Sequence, residues 1–282
     1  MKAKSGVRAR TKKTVKSKAR PARKTRAGKK PKAAVVAKAR AGKGSRTAAA
    51  RKAGARVGAR LKAAARPAAK SVFQGIRVLD VGHIVAGPIA ASVLADFGAD
   101  VIKIERPGFG DPLRLQYAAK GPGLHYKMEA RNKKSVTLDL KTPEGLAIFK
   151  RLAKVSDVVV ENFRPGVMEA LGLGWETLHK LNPRLIMCRL SGFGQYGPYS
   201  KRRAYGRIGE AFGGFTFITG NADGPPMHSQ MSLGDTAAGM WAALGVLMAL
   251  YWRDAQGGRR RQMIDIRLYD GLYRLIEPQI IV

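Results

Sequence analysis

Few side chains in this sequence are spaced for chemistry. The four histidines, His83, His125, His179 and His228, are scattered without metal-ligand spacing. The single cysteine, Cys188, excludes a disulfide framework and a cysteine-rich metal centre. No G-x-G-x-x-G follows the first predicted strand, no G-x-x-x-x-G-K-[ST] occurs, and there is no G-x-S-x-G elbow. Carboxylate chemistry remains. Asp235 follows Gly234 at the head of a long apolar run. There the positive end of the predicted helix dipole favours an ionised carboxylate. Taken by itself, the position reads most simply as a helix N-cap.

The elements that must hold such a group follow from periodicity. Gly75–Val81 reads as a short buried strand, Gly82–Pro88 as a loop, and Ile89–Phe97 as a helix stopped by Gly98. Ala99–Glu105 adds a second strand, giving a βαβ unit whose strands should pair in parallel. Ser135–Leu140, Asp157–Glu161, Leu185–Leu190 and Met263–Ile266 read as further strands. Thr142 caps a helix opened by Pro143 and Glu144. Trp175–Leu181, Asp235–Trp252 and Tyr269–Ile276 read as helices. The alternation predicts an α/β fold with a doubly wound, mostly parallel sheet. The charge-free apolar run Ala237–Trp252 has 16 residues, short of the roughly 20 that span a bilayer. It reads as a buried helix, so no membrane segment is expected. The charged N-terminus has no apolar stretch of a secretory signal, and a cytoplasmic location is expected.

Charge divides the chain. Of 53 Lys and Arg, 26 precede Ser71, where none of the 19 Asp and Glu occurs. The remaining 212 residues carry only +8 of the net +34. Residues 1–70 hold no aromatic side chain and, apart from valines, one large aliphatic residue, Leu61. Such a segment cannot offset its conformational entropy by burial and is expected to be disordered. It would bind nucleic acid non-specifically by neutralising phosphates, without base stacking. Two regions are therefore expected: a basic tail, 1–70, and a body, 71–282.

The body carries an ordered series of segments: Val78-Leu79-Asp80, Ala86-Gly87-Pro88, Leu94 through Pro107, Gly110-Asp111-Pro112 and Asn132-Lys133-Lys134-Ser135. Leu138 through Gly145, Asp157 through Gly166, Gly192-Phe193-Gly194-Gln195, Gly224-Pro225-Pro226 and Gly234-Asp235 follow. This resembles the family III CoA-transferases, the group that includes formyl-CoA transferase, carnitine CoA-transferase and methylacyl-CoA racemase. The match runs from about Gly75 to Gly271 and covers the first half of a typical family chain. It implies a Rossmann-like large domain, here incomplete, and a homodimer of interlocked chains when complete.

The resemblance makes Asp235 the nucleophile. In such transferases this carboxylate attacks the acyl-CoA carbonyl, and CoA then passes through an aspartyl thioester to an acceptor acid. Coenzyme A thioesters are substrates, with no permanently bound cofactor and no metal. Val85 and Ala86 match a backbone contact to CoA, and Arg106 a basic residue near its adenine-ribose end. Leu138 and Lys141 fall in a segment lining the nucleotide. Asn162, Phe163 and Arg164 match the turn under the pantetheine and diphosphate, and Arg203 stands where formyl-CoA transferase has a lysine. Val85 replaces a glutamine and Ala170 an arginine of that enzyme.

Family racemases carry a His-Asp pair where this chain reads Ala204-Tyr205-Gly206-Arg207. Proton transfer at an α-carbon needs two positioned groups, so transfer is favoured over racemisation. The alternatives are a racemase or an inactive fragment of the same family, and, in another class, a nucleic-acid-binding protein acting through its tail. The family continues with a small domain beyond the length reached at Val282, so a fragment, or a chain completed by a partner, is expected.

Removing residues 1–70 should abolish most retention on a DNA column at low salt. Equal retention of the full-length and shortened chains would refute phosphate binding by the tail.

Overall fold

The computed structural model describes residues 71–116, 121–258 and 262–280. The basic tail expected at 1–70 lies outside the described residues.

The sheet is six-stranded and wholly parallel. Its strands are β1 (Arg77–Asp80), β2 (Asp100–Glu105), β3 (Lys133–Thr137), β4 (Val158–Glu161), β5 (Ile186–Ser191) and β6 (Gln262–Arg267). They lie in the order β3-β2-β1-β4-β5-β6. The expected α/β, doubly wound architecture is therefore present. The order reverses direction between β1 and β4, which leaves a crevice at the carboxyl ends of those two strands.

Side-chain alternation builds a core on each face. Val78, Val158, Val160, Ile186 and Cys188 point into one, with α1 (Ala86–Asp96) and α7 (Leu233–Ala255) packed over them. Leu79, Val159 and Met187 point into the other. That layer is closed by α3 (Pro143–Lys154), α4 (Val167–Ala170) and α5 (Trp175–Leu181), through Phe149, Met168 and Leu178. The remaining helices are α2 (Leu124–Glu129), α6 (Gly206–Phe212), α8 (Asp270–Leu275) and α9 (Glu277–Ile280).

Thr142 caps α3 as its sequence implies, accepting the Gly145 N–H at 3.1 Å. Several boundaries differ. β3 runs Lys133–Thr137 and not the expected Ser135–Leu140, because its exposed edge position needs no apolar alternation. α1 begins at Ala86, three residues before the expected Ile89, because Ala86-Gly87 carries no apolar period. α7 begins at Leu233 and runs for 23 residues. By length and composition α7 could cross a bilayer. Here it lies on the sheet, with Ala238, Ala242 and Val246 fully buried.

The α1–α7 contact depends on small side chains. A Cβ at Gly239 would lie 2.7 Å from Ile89 Cγ2 and 2.8 Å from the Ala86 carbonyl oxygen. Gly239→Ala should gain about 1 kcal/mol of helix propensity. Overpacking against backbone costs about 1–3 kcal/mol and outweighs that gain. The variant is expected to melt below wild type; a higher Tm would show that the contact can relax.

Candidate functional site

A cleft of about 180 Å³ opens at the β1–β4 crevice. His83, Ile84, Val85 and Ala86 line it from the loop after β1, and Asn162, Phe163, Arg164 and Pro165 from the turn after β4. Ser191 and Gly192 follow β5, Arg203 and Tyr205 precede α6, and Asp235 enters from the start of α7.

The two loops hold each other. Asn162 Oδ1 accepts the His83 N–H at 2.8 Å, and Asn162 Nδ2 donates to the His83 carbonyl at 2.9 Å. His83 also meets the Phe163 ring edge-on, with centroids 4.6 Å apart. Beneath them is a cluster of buried charge. Lys103 Nζ donates to the Gly82 carbonyl at 2.8 Å and lies 3.0 Å from Asp111 and 3.6 Å from Asp80. Lys133 donates to Asp80 at 2.8 Å. Burial alone would raise the Asp80 pKa, but the two lysines outweigh it and hold the carboxyl below its ordinary value. Asp111 also accepts the Ile84 N–H at 3.3 Å. Ile84 has φ +64°, a conformation that a β-branched residue adopts only when its surroundings impose it. Val85 follows as the N-cap residue of α1.

Asp235 is set by two helix starts that touch. A Cβ on Gly234 would fall 2.5 Å from the Gly206 carbonyl oxygen, and one on Gly206 would fall 2.4 Å from Asp235 Oδ2. Only glycines allow α6 and α7 to meet this closely. The N-cap of α7 is Ser232, so Asp235 is its third residue and not the cap. The Gly206 amide supports the ionised form of Asp235. Desolvation opposes it more strongly, and the nearby Glu210 charge adds to that opposition. The carboxyl is raised to about 6. Burial thus works against the ionised form that a helix start favours.

The structure brings Val85, Ala86, Asn162, Phe163, Arg164, Arg203 and Asp235 to one cleft. Arg106, Leu138 and Lys141 are not among its lining residues. Arg106 follows β2 and stacks on Phe109 at 4.3 Å. Leu138 follows β3 with its side chain in the core. Lys141 is exposed beyond it. All three stand at the carboxyl edge of the sheet that bears the cleft. Two residues escaped sequence reasoning. Arg202 lines the cleft and stacks on Tyr199 at 4.3 Å. Glu210, fully buried, accepts the Gly234 N–H at 3.3 Å. Neither lies in a spacing pattern that could have flagged it. Among the described residues no cluster of His, Cys, Asp or Glu could hold a metal.

The family model for CoA-transferase family III matches residues 73–282. The succinyl-CoA–D-citramalate CoA-transferase of Chloroflexus aurantiacus is 52% identical over 207 residues, 73% of this chain and 51% of that protein. The formyl-CoA:oxalate CoA-transferase of Rhodopseudomonas palustris is 41% identical over 203 residues, 71% of this chain and 47% of that protein. A crystal structure of a CaiB/BaiF family protein from Brucella suis superposes with a TM-score of 0.71 at 32% identity, covering 76% of this chain and 57% of the other. The chain thus spans about half the length of the curated relatives it matches.

A carboxyl whose folded pKa is about 6, above the roughly 3.9 of an unfolded chain, binds its proton more tightly when folded. Its stabilising effect is complete below pH 4 and is lost as pH rises through 6. Asp235→Asn should therefore be as stable as wild type near pH 4 and more stable near pH 7.5, by no more than about 3 kcal/mol. Denaturant midpoints at the two pH values test this; a difference independent of pH would refute it.

Proposed function

The chain belongs to CoA-transferase family III, and we propose that it transfers coenzyme A from an acyl-CoA donor to a free carboxylic acid, with Asp235 as the covalent nucleophile. The observation that carries this reading is the placement of Asp235: a carboxylate with a pKa near 6, half-buried in the cleft where an α/β sheet binds its ligands. At neutral pH such a group is mostly ionised, yet more basic than an ordinary aspartate, which suits nucleophilic attack.

In the proposed cycle a carboxylate oxygen of Asp235 attacks the thioester carbonyl. The C–S bond breaks, giving a mixed anhydride and CoA thiolate. The thiolate attacks the aspartyl carbonyl, releasing the donor acid and leaving an aspartyl-CoA thioester. The acceptor carboxylate attacks that carbonyl, expelling the thiolate and forming a second anhydride. Attack of the thiolate on the acceptor carbonyl yields the new acyl-CoA and frees Asp235. Shielding from water preserves the anhydrides, which would otherwise hydrolyse.

Val85, Ala86, Asn162 and Phe163 would seat the pantetheine arm. Arg164 and Arg203, together with Arg202, would meet anionic groups of CoA or of a dicarboxylic acid. Arg106, Leu138 and Lys141 would serve the nucleotide end, farther along the sheet edge. The name of the 52%-identical relative makes succinyl-CoA with a hydroxy-dicarboxylic acid the pair to assay first. A cytoplasmic homodimer completes the proposal. The exposed Met240, Leu244, Leu247, Met248 and Tyr251 lie along one face of α7 and supply apolar surface for association.

Asp235→Asn should lower transfer by several orders of magnitude while CoA binding stays within about tenfold. Hydroxylamine added after acyl-CoA should convert Asp235 to a hydroxamate. Activity needs the ionised carboxylate, so it should be half-maximal near pH 6, present above and lost below. Full transfer by Asp235→Asn would overturn the assignment.

A further inference from the structure

The proposed cycle makes no use of Glu210, the fully buried carboxylate beside it. Glu210 lies one helical turn beyond Gly206 on α6, so both residues face the start of α7. Its Oε1 accepts the Gly234 N–H at 3.3 Å, and its Oε2 accepts the Ser229 hydroxyl at 3.1 Å. Gly234 immediately precedes Asp235, so this bond ties Glu210 to the backbone that carries Asp235. The chain turns that meeting point into a mutual brace. Asp235 of α7 receives the Gly206 amide of α6, and Glu210 of α6 receives the Gly234 amide of α7.

No ion pair among the described residues includes Glu210. The charged or titratable groups on neighbouring elements are Arg164 after β4, Arg202, Arg203, Tyr205 and Arg207 around the start of α6, His228 beside Ser229, Asp265 and Arg267 on β6, and Tyr269 and Asp270 at the start of α8. Arg202 stacks on Tyr199, and Arg267 bonds to Asp270 at 3.4 Å. Burial raises the Asp235 carboxyl most, and the Glu210 charge adds to it. A buried carboxylate with no cationic partner and only two hydrogen-bond donors is costly to keep, so the site bears a cost that a neutral residue would avoid.

Resting on the reading of Asp235 as the reacting carboxylate, we propose that Glu210 is a positioning residue. It anchors the turn that carries Asp235 and, by like-charge repulsion, favours the uncharged acylated forms of Asp235 over the free carboxylate. Attack by Asp235 converts its anion into a neutral anhydride, and the aspartyl thioester formed from that anhydride is neutral as well. The repulsion is present before attack and gone after it.

The test uses the full chain labelled with 13C at the aspartate carboxyl, with the Asp235 resonance identified by its loss in Asp235→Asn. Its pH midpoint is compared in wild type and Glu210→Gln, which keeps an oxygen acceptor for Gly234 but removes the charge. The midpoint should fall by about half a pH unit or more. The hydroxamate trapped after incubation with succinyl-CoA should fall several-fold in parallel. A midpoint unchanged in Glu210→Gln would overturn the proposal, because a merely structural role alters stability without moving it. Should Glu210→Gln fail to fold, Glu210→Ala gives the same comparison, since it also removes the charge. The titration needs no transfer activity. A shifted midpoint with no hydroxamate in any variant would support the coupling of the two carboxylates and count against the transferase reading instead.

Discussion

The Lys103 ammonium lies out of water between the carboxylates of Asp80 and Asp111, with the Gly82 carbonyl as its third partner. Burial lowers a lysine pKa, yet these two acids more than compensate and raise it. Removing one member would leave unpaired charge in the interior, typically at a cost of about 3–5 kcal/mol. The cleft inherits its shape from this cluster. Asp111 holds Ile84 in its left-handed turn, that turn delivers Val85 and Ala86, and α1 starts there. The Ala86 carbonyl in turn abuts Gly239 of α7, the helix that carries Asp235. A charge within β2 is thus connected, through packed backbone, to Asp235.

A second buried knot supports the neighbouring edge. Glu105, at the end of β2, accepts from Arg114, Tyr126 and Ser135. Burial would raise its pKa, but these donors bring it down to about 2. Asp80, Lys103, Glu105, Asp111, Lys133 and Ser135 all fall in the segments that carried the family resemblance. Much of that signature therefore encodes the support of the loops, not contact with a ligand.

The central strands β1, β4 and β5 were legible because each is a short β-branched or aliphatic run buried on both faces, whereas the exposed edge strand β3, Lys-Lys-Ser-Val-Thr, lies two to three residues before the expected Ser135–Leu140. Val158-Val159-Val160 alternates between the two cores and could hardly be read otherwise. Helix starts were less legible. Ala86-Gly87 and Gly234 lie in the first turns of their helices as small residues that allow close approach, and they leave no apolar period. α6 was missed altogether, since Gly-Arg-Ile-Gly-Glu-Ala-Phe is short and rich in glycine. The nucleophile role proposed for Asp235 rests on the resemblance; by spacing the residue read as a cap, and Ser232 takes that place. The contact of Glu210 with Gly234 was illegible, because it arises only when α6 docks on α7. Arg106, Leu138 and Lys141 were matched by segment, but β2 and β3 carry them away from the cleft.

Cys188 lies in the middle of β5, fully buried, with its thiol pushed up by burial and by the charges of Glu161 and Asp265. It is the only sulfhydryl in the chain. Chemistry that liberates a thiolate at every turnover is exposed to thiol exchange and to mixed disulfides wherever a second reactive sulfur is near. Here the protein's own sulfur is neutral and enclosed in the hydrocarbon interior. A released CoA thiolate would therefore find carbonyl carbon as its electrophile in the cleft, and oxidants that cap exposed thiols would have no sulfhydryl target on this chain.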